Sequence, residues 1–242
     1  MFENHWYNQS TRRMVSVFGS LFNDLEVMKY QSGKITGKIK VPLAYAPRSK
    51  VLARLMEQGG DPKVAIKLPR MSFEISSMEY DANARVSKHK SYTKTIVGDT
   101  LQLNKLGAPA VYKVGFELNI LAATQDEGLQ ILEQILPMFQ PEYTVTVKDI
   151  PTMDITTDTP IILESVDLND DYEGDLVTRR AIVYTLSFST RIRYYRGTGK
   201  SKQILYTDVD YSENVDPTTH KFETQSVDGT TAAPYTETIN FF

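Results

Sequence analysis

Residues 124–143, TQDEGLQILEQILPMFQPEY, define one element of this chain at both ends. Thr124 and Glu127 form a capping box. The Thr124 hydroxyl is expected to accept from the Glu127 N–H, and the Glu127 carboxylate to reach back to the Thr124 N–H. An amphipathic helix follows, with Leu129, Leu132, Ile135, Leu136 and Phe139 expected inward. Pro137 and Pro141 stop it, because proline has no N–H to continue the ladder. The segment carries no catalytic signature.

The stretches on either side alternate with period two, the mark of a half-buried strand. In residues 111–121, Tyr112, Val114, Phe116, Leu118 and Ile120 share one face. In residues 177–195, Ile182, Tyr184, Leu186, Phe188, Ile192 and Tyr194 do the same. Further strands are expected at 25–30, around Ile35 to Leu43, at Met71, Phe73 and Ile75, at 143–147, 159–166 and 203–209. An acidic loop, 167–175, joins two of these strands. Near the N-terminus Met14, Val17, Phe18, Leu21, Phe22 and Leu25 recur at helical spacing, with Asn8 or Ser10 as the cap. Residues 49–58 read as a short helix stopped at Gly59-Gly60. Residues 82–109 are rich in Lys, Ser, Thr and Gly and read as a long loop with at most a short hairpin.

No composition shift marks a domain boundary. The expectation is an α+β fold: a mostly antiparallel sheet with two or three helices on one side, in a single domain over residues 1–210. Residues 211–242 are polar and read as a flexible C-terminal tail, too poor in apolar side chains to order alone.

Composition narrows the function classes. The net charge is -3 and there are no cysteines. Nothing global points to nucleic acid or an anionic surface. Disulfides, thiolate nucleophiles and cysteine-bound zinc are absent from the repertoire. The N-terminus shows no secretory signal pattern, and no apolar run approaches the ~18 residues of a membrane span.

The chemical constellations fail their own tests. Gly199-Lys200-Ser201 lacks the earlier glycine of a phosphate loop, since Tyr194 stands there, and a strand rather than a helix is expected to follow. The acidic loop has Asp167, Asn169 and Asp171 in alternation, but Tyr172 and Thr178 occupy the Gly and Glu positions of a calcium loop. His5, His89 and His220 are far apart, and no HExxH or GxSxG occurs. No catalytic, cofactor-binding or metal-binding residue is expected. The basic and aromatic run 191–202 has three readings: a phosphate- and base-binding strip, a solvated strand face, or a protein contact.

Four blocks together are familiar in order and content: WYNQSTRRMVSVFGSLFNDLEV, ILEQILPMFQP, DYEGDLVTRRAIVYTLSFS and ILYTDVDY. They resemble the tail sheath stabiliser and completion protein family of contractile-tailed, T-even-like bacteriophages, from about Phe2 to Tyr211. The resemblance implies a tail-terminator fold and no enzymatic activity. It implies a hexameric ring at the head-proximal end of the tail that caps sheath and tube and receives the neck. Implied partners are sheath subunits, the tube end or its terminator, and neck proteins, with DNA only passing through the lumen and no membrane. The place is the virion tail, after synthesis in the host cytoplasm. Contact residues do not transfer. From the residues themselves, Arg179, Arg180, Arg191, Arg193 and Arg196 are the expected protein-interface set. The alternative is a nucleic-acid-binding protein using 191–202.

Overall fold

A computed structural model describes residues 5–31, 34–56, 68–96, 99–169, 182–202, 206–212, 221–228 and 236–241. In chain order the elements begin with helix α1 (Ser10–Leu21), strands β1 (Glu26–Gln31), β2 (Lys34–Lys40) and β3 (Leu43–Tyr45), and helix α2 (Arg48–Met56). Next come strands β4 (Arg70–Tyr80), β5 (Ser91–Ile96), β6 (Asp99–Gly107) and β7 (Ala110–Ala122), then helix α3 (Gln125–Ile135). Strands β8 (Glu142–Ile150), β9 (Ile155–Asn169), β10 (Ile182–Tyr194) and β11 (Gly199–Lys202) follow. The last described strands are β12 (Tyr206–Ser212), β13 (Lys221–Asp228) and β14 (Thr236–Phe241). The expected α+β class is the observed one.

The chain divides into two units, Met1–Lys90 with Gly107–Gly197, and Ser91–Leu106 with Thr198–Phe242. The first is built on a six-stranded sheet in the order β3-β4-β7-β10-β9-β8. Only the β3–β4 pairing is parallel. That one parallel step needs a crossover, which α2 supplies. Alternation along β7 and β10 sends Val114, Phe116, Leu118 and Ile120, with Tyr184, Leu186, Phe188 and Ile192, into one core. α1 and α3 cover this face.

Phe18 of α1 is the centre of that core. Its ring stacks on Phe116 at 4.5 Å and meets Phe73, Phe22 and Phe188 at 5.0 to 5.4 Å. Each such aromatic contact adds to the burial term, itself about 1.5–3 kcal/mol for a Phe side chain. On the opposite face Val51 of α2 meets Leu121 and Val183. The helices therefore lie on both faces, not on one side as the sequence suggested, because the parallel crossover carries α2 across.

Several local expectations need correction. The α1 N-cap position is Gln9, in a left-handed conformation with no side-chain cap. Asn8 instead donates its Nδ2–H to the Tyr195 carbonyl at 2.9 Å. In α3 the Thr124 hydroxyl accepts from Glu127 N–H as expected, but the Glu127 carboxylate accepts from Ala123 N–H at 3.2 Å. The inward face of α3 is Gly128, Ile131, Leu132 and Ile135, while Leu129 and Leu136 are exposed. The helix is rotated because Gly128 sits directly over the Tyr184 ring, leaving no room for a Cβ.

Strand β2 is not half-buried. Its residues are exposed along nearly the whole length, and it pairs only with β1 in a two-stranded ribbon. Burial resumes at Val41, after the strand.

The second unit contains a three-stranded sheet, β11-β6-β5, and another, β12-β13-β14. The stretch 82–109, read as a long loop, thus holds β5 and all of β6, with 82–90 left as loop before them. In the C-terminal stretch the described backbone pairs antiparallel, with Asp210 opposite Thr224 and Gln225 opposite Ile239.

Candidate functional site

Strand β10 runs through the middle of the six-stranded sheet, so its odd-numbered residues face away from the aromatic core. Near its end this face carries Arg191 and Arg193, opposite Ile192 and Tyr194, as alternation predicts. Arg191 Nε donates to Asp81 Oδ2 at 2.7 Å. Asp81 closes a turn of its own: its Oδ1 accepts from Asn83 and Ala84 N–H at 3.0 and 3.2 Å. The Arg191 hydrogen bond, more than the turn's backbone donors, lowers the Asp81 pKa and outweighs partial desolvation.

A second ion pair lies beside the first. Lys113 Nζ donates to Glu164 Oε1 at 2.7 Å. That bond, with one from Ser189, lowers the Glu164 pKa. The two pairs line a groove of about 490 Å³ with Tyr80 and Ser189. On β7, two residues past Lys113, a Cβ at Gly115 would collide with the hydroxyls of Ser76 and Ser77.

Two of the groove's three carboxylates, Asp81 and Glu164, are ion-paired, and Glu79 is the third acidic residue of the lining. The one hydroxyl–carboxylate contact described in it is that of Ser189 with Glu164, whose carboxylate Lys113 already engages. Among the described residues no group of three His, Asp or Glu side chains is placed to hold a metal ion.

Arg193 belongs to a different environment. It is half-buried and acts through its charge on Asp149, a buried carboxylate at the end of β8. Desolvation raises the Asp149 pKa. A bond from the Thr157 hydroxyl at 2.9 Å opposes this, as do the charges of Arg193 and Arg13. Arg13 also donates to the Lys148 and Asp149 carbonyls, both at 2.6 Å, and so ties α1 to β8.

Of the five expected interface arginines, the three described have different surroundings. Arg191 is committed to Asp81 and Arg193 neighbours Asp149. Arg196 is exposed beyond the strand, and Arg179 and Arg180 lie outside the described residues. The aromatics of the same run offer little to a base. Tyr195 is buried, and the Tyr194 hydroxyl is hydrogen-bonded with Thr11 at 2.8 Å. Gly199-Lys200-Ser201 lies in β11, paired with Lys105, Asn104 and Leu103, so its backbone is extended and cradles nothing. Of the acidic loop, only its first residues fall in β9. The rest lies outside the described residues.

Asp81, Lys113, Glu164 and Ser189 escaped the sequence reading. The only local signal was the Asp81-Ala82-Asn83 turn composition. Its partner Arg191 is 110 residues away.

Comparison with known proteins gives two concordant findings. The model of the T4-like virus Myoviridae tail sheath stabiliser family matches residues 5–240. The chain is also 28% identical over 220 residues to tail completion protein gp15 of Enterobacteria phage T4, covering 84% of this chain and 78% of that protein. The family match continues past Tyr211, where the block-by-block resemblance fades.

Proposed function

This chain belongs to the T4-like virus Myoviridae tail sheath stabiliser family and is a structural tail protein; we propose that its copies close into a hexameric ring at the head-proximal end of the tail. The ring caps the last sheath layer and the tube end, holds the sheath extended and presents the surface on which the neck docks. DNA passes through its lumen. Sheath subunits, the tube end or its terminator, and neck proteins are its partners, and the protein is made in the host cytoplasm before joining the virion.

The match over residues 5–240 carries this reading, because it spans both units rather than one module. The geometry agrees with it. The polar face of the sheet bears a groove lined by two ion pairs, and among the described residues strand edges stand open for added strands.

Electron microscopy of tails assembled with and without the protein tests the proposal. With it, tails should carry a ring at the head-proximal end, keep an extended sheath and accept heads. Tails that stay extended and join heads equally well without it would overturn the proposal.

A further inference from the structure

A net charge of -3 conceals two segments of opposite sign. Residues 24–56, which form β1, β2, β3 and α2, hold seven basic and two acidic residues. Residues 123–169, which form α3, β8 and β9, hold nine acidic residues and one basic. β3 and β8 are the two edge strands of the six-stranded sheet, so the two segments end at its opposite edges.

Each segment also carries an open strand edge. In the ribbon, β1 is occupied on its outer side by α3: Gln130 bonds both the N–H and the carbonyl of Met28, and Gln134 donates to the Glu26 carbonyl. Among the described residues that leaves β2 as the open edge, carrying Lys34, with Lys38 and Lys40 paired to Glu26 and Asp24 at 3.3 and 2.8 Å. Near the ribbon tip Tyr30 pairs with Ile35, and they are 60% and 61% exposed. At the other end β8 pairs with β9 only as far as Ile162. Residues 163–168 then have β10 on one side and, past a bond from Leu163 N–H to the Pro141 carbonyl at 3.4 Å, no strand among the described residues on the other. This edge carries Glu164 and Asp167, with Val166 and Leu168 at 40% and 56% exposure.

Exposed strand edges with apolar side chains are templates for strand addition, which proteins normally block or use. Here two such edges belong to segments of opposite charge sign in the same unit. We infer that β2 of one copy adds as a strand to the 163–168 edge of β9 in a second copy of this chain. Lys34 of β2 meets Asp167 of β9, while Lys38, Lys40 and Glu164 keep their partners Glu26, Asp24 and Lys113 within each copy, and Ile35 and Tyr30 cover Val166 and Leu168. Because the two surfaces differ, the contact is head-to-tail and repeats around a closed rotation. This docking rests on the proposed ring and names the contact that joins its subunits.

The absence of cysteine makes the test clean. Gly37 lies in the middle of β2 with open space around it, and Val166 lies in the middle of the β9 edge. Full-length Gly37→Cys and Val166→Cys chains, tagged to differ in mass, are mixed and treated with a short bismaleimide, in solution and on purified tails. Dimers of unlike chains should form in the mixture, with no dimers from either variant alone. Separately, Lys34→Glu or Asp167→Lys should each weaken self-association by about tenfold, and mixing the two should recover part of it. An assembly of normal mass without unlike dimers, or one that crosslinks equally in a single variant, overturns this contact and leaves the ring standing. A chain that remains monomeric in solution and on tails overturns both.

Discussion

Gly128 on α3 packs against the aromatic ring of Tyr184 on β10 so closely that a Cβ would overlap Cε2. The contact fixes which face of the helix meets the sheet. It explains why Ile131 is buried and Leu129 is not.

Gly128→Ala should therefore destabilise the fold, although alanine is the better helix former. The overlap forces the helix or the ring to shift, at a cost of about 1–3 kcal/mol. Against it stands a helix-propensity gain of about 1 kcal/mol. Thermal or denaturant unfolding should show a net loss. An unchanged or higher midpoint would mean that the ring yields freely.

Phe18→Ala should cost about 3–5 kcal/mol, near the upper end for core truncations. Phe18 stacks on Phe116 and touches three more rings, so the cavity has many walls and no easy collapse. Denaturant titration measures this. Phe139→Ala, at a half-buried ring on the rim of the same cluster, should cost less.

The carboxylates make two opposite contributions to pH dependence. Asp81 and Glu164 have lowered pKa values in the fold, so their stabilisation is present above their unfolded pKa values and is lost as pH falls through the folded ones. Asp149 has a raised pKa, so its ionisation opposes folding increasingly as pH rises from about 3.8 through the folded value. Relative to the native chain, Asp81→Asn should lose stability at neutral pH and lose less of the remainder in acid. Asp149→Asn keeps an acceptor for Thr157 and should compare more favourably with the native chain as pH rises. Melting curves from acid to neutral pH check both signs.

Arg196→Glu should weaken ring assembly or sheath binding without moving the melting temperature, because the residue is exposed beyond the end of β10. Arg191→Glu is expected to lower stability as well, since it sets two negative charges together at Asp81. Comparing the two separates an interface role from an internal one. Full assembly of the Arg196→Glu chain would remove that residue from the interface.

DNA binding through 191–202 should be absent or weak. A phosphate-binding strip would show a steep fall of affinity with salt, with a log–log slope near the number of phosphates contacted. With Tyr195 buried and Arg191 paired, a slope near zero is expected. A slope of several units would restore the nucleic-acid reading.

Local rules were enough for the core strands. Period-two alternation placed Phe116, Leu118, Leu186 and Phe188 on one buried face, because a strand's side chains have only two directions. The capping box placed the start of α3 for the same kind of reason: its donors and acceptors lie within one turn. Rotation of the helix was not local. Leu129 and Leu136 satisfy an amphipathic pattern as well as Ile131 does. The choice was made by Gly128 against Tyr184, two residues brought together only by the sheet.

The groove shows the same limit. Alternation put Arg191 on the polar face of β10, but nothing near it in the chain predicts Asp81 as its partner. The basic-aromatic run looked like one strip because its residues are neighbours in sequence. In the fold Arg191, Arg193, Tyr194 and Tyr195 serve different contacts.

By itself, the sequence determined the α+β class, the long central strands, the capped helix, the missing catalytic motifs and the family, since all of these rest on short-range periodicity or on ordered blocks of residues. Tertiary structure alone decided the face of α3, the matched ion pairs of the groove, and the placement of basic and acidic segments at opposite sheet edges. Those depend on which strands become neighbours, and strand order is set by packing across the whole chain.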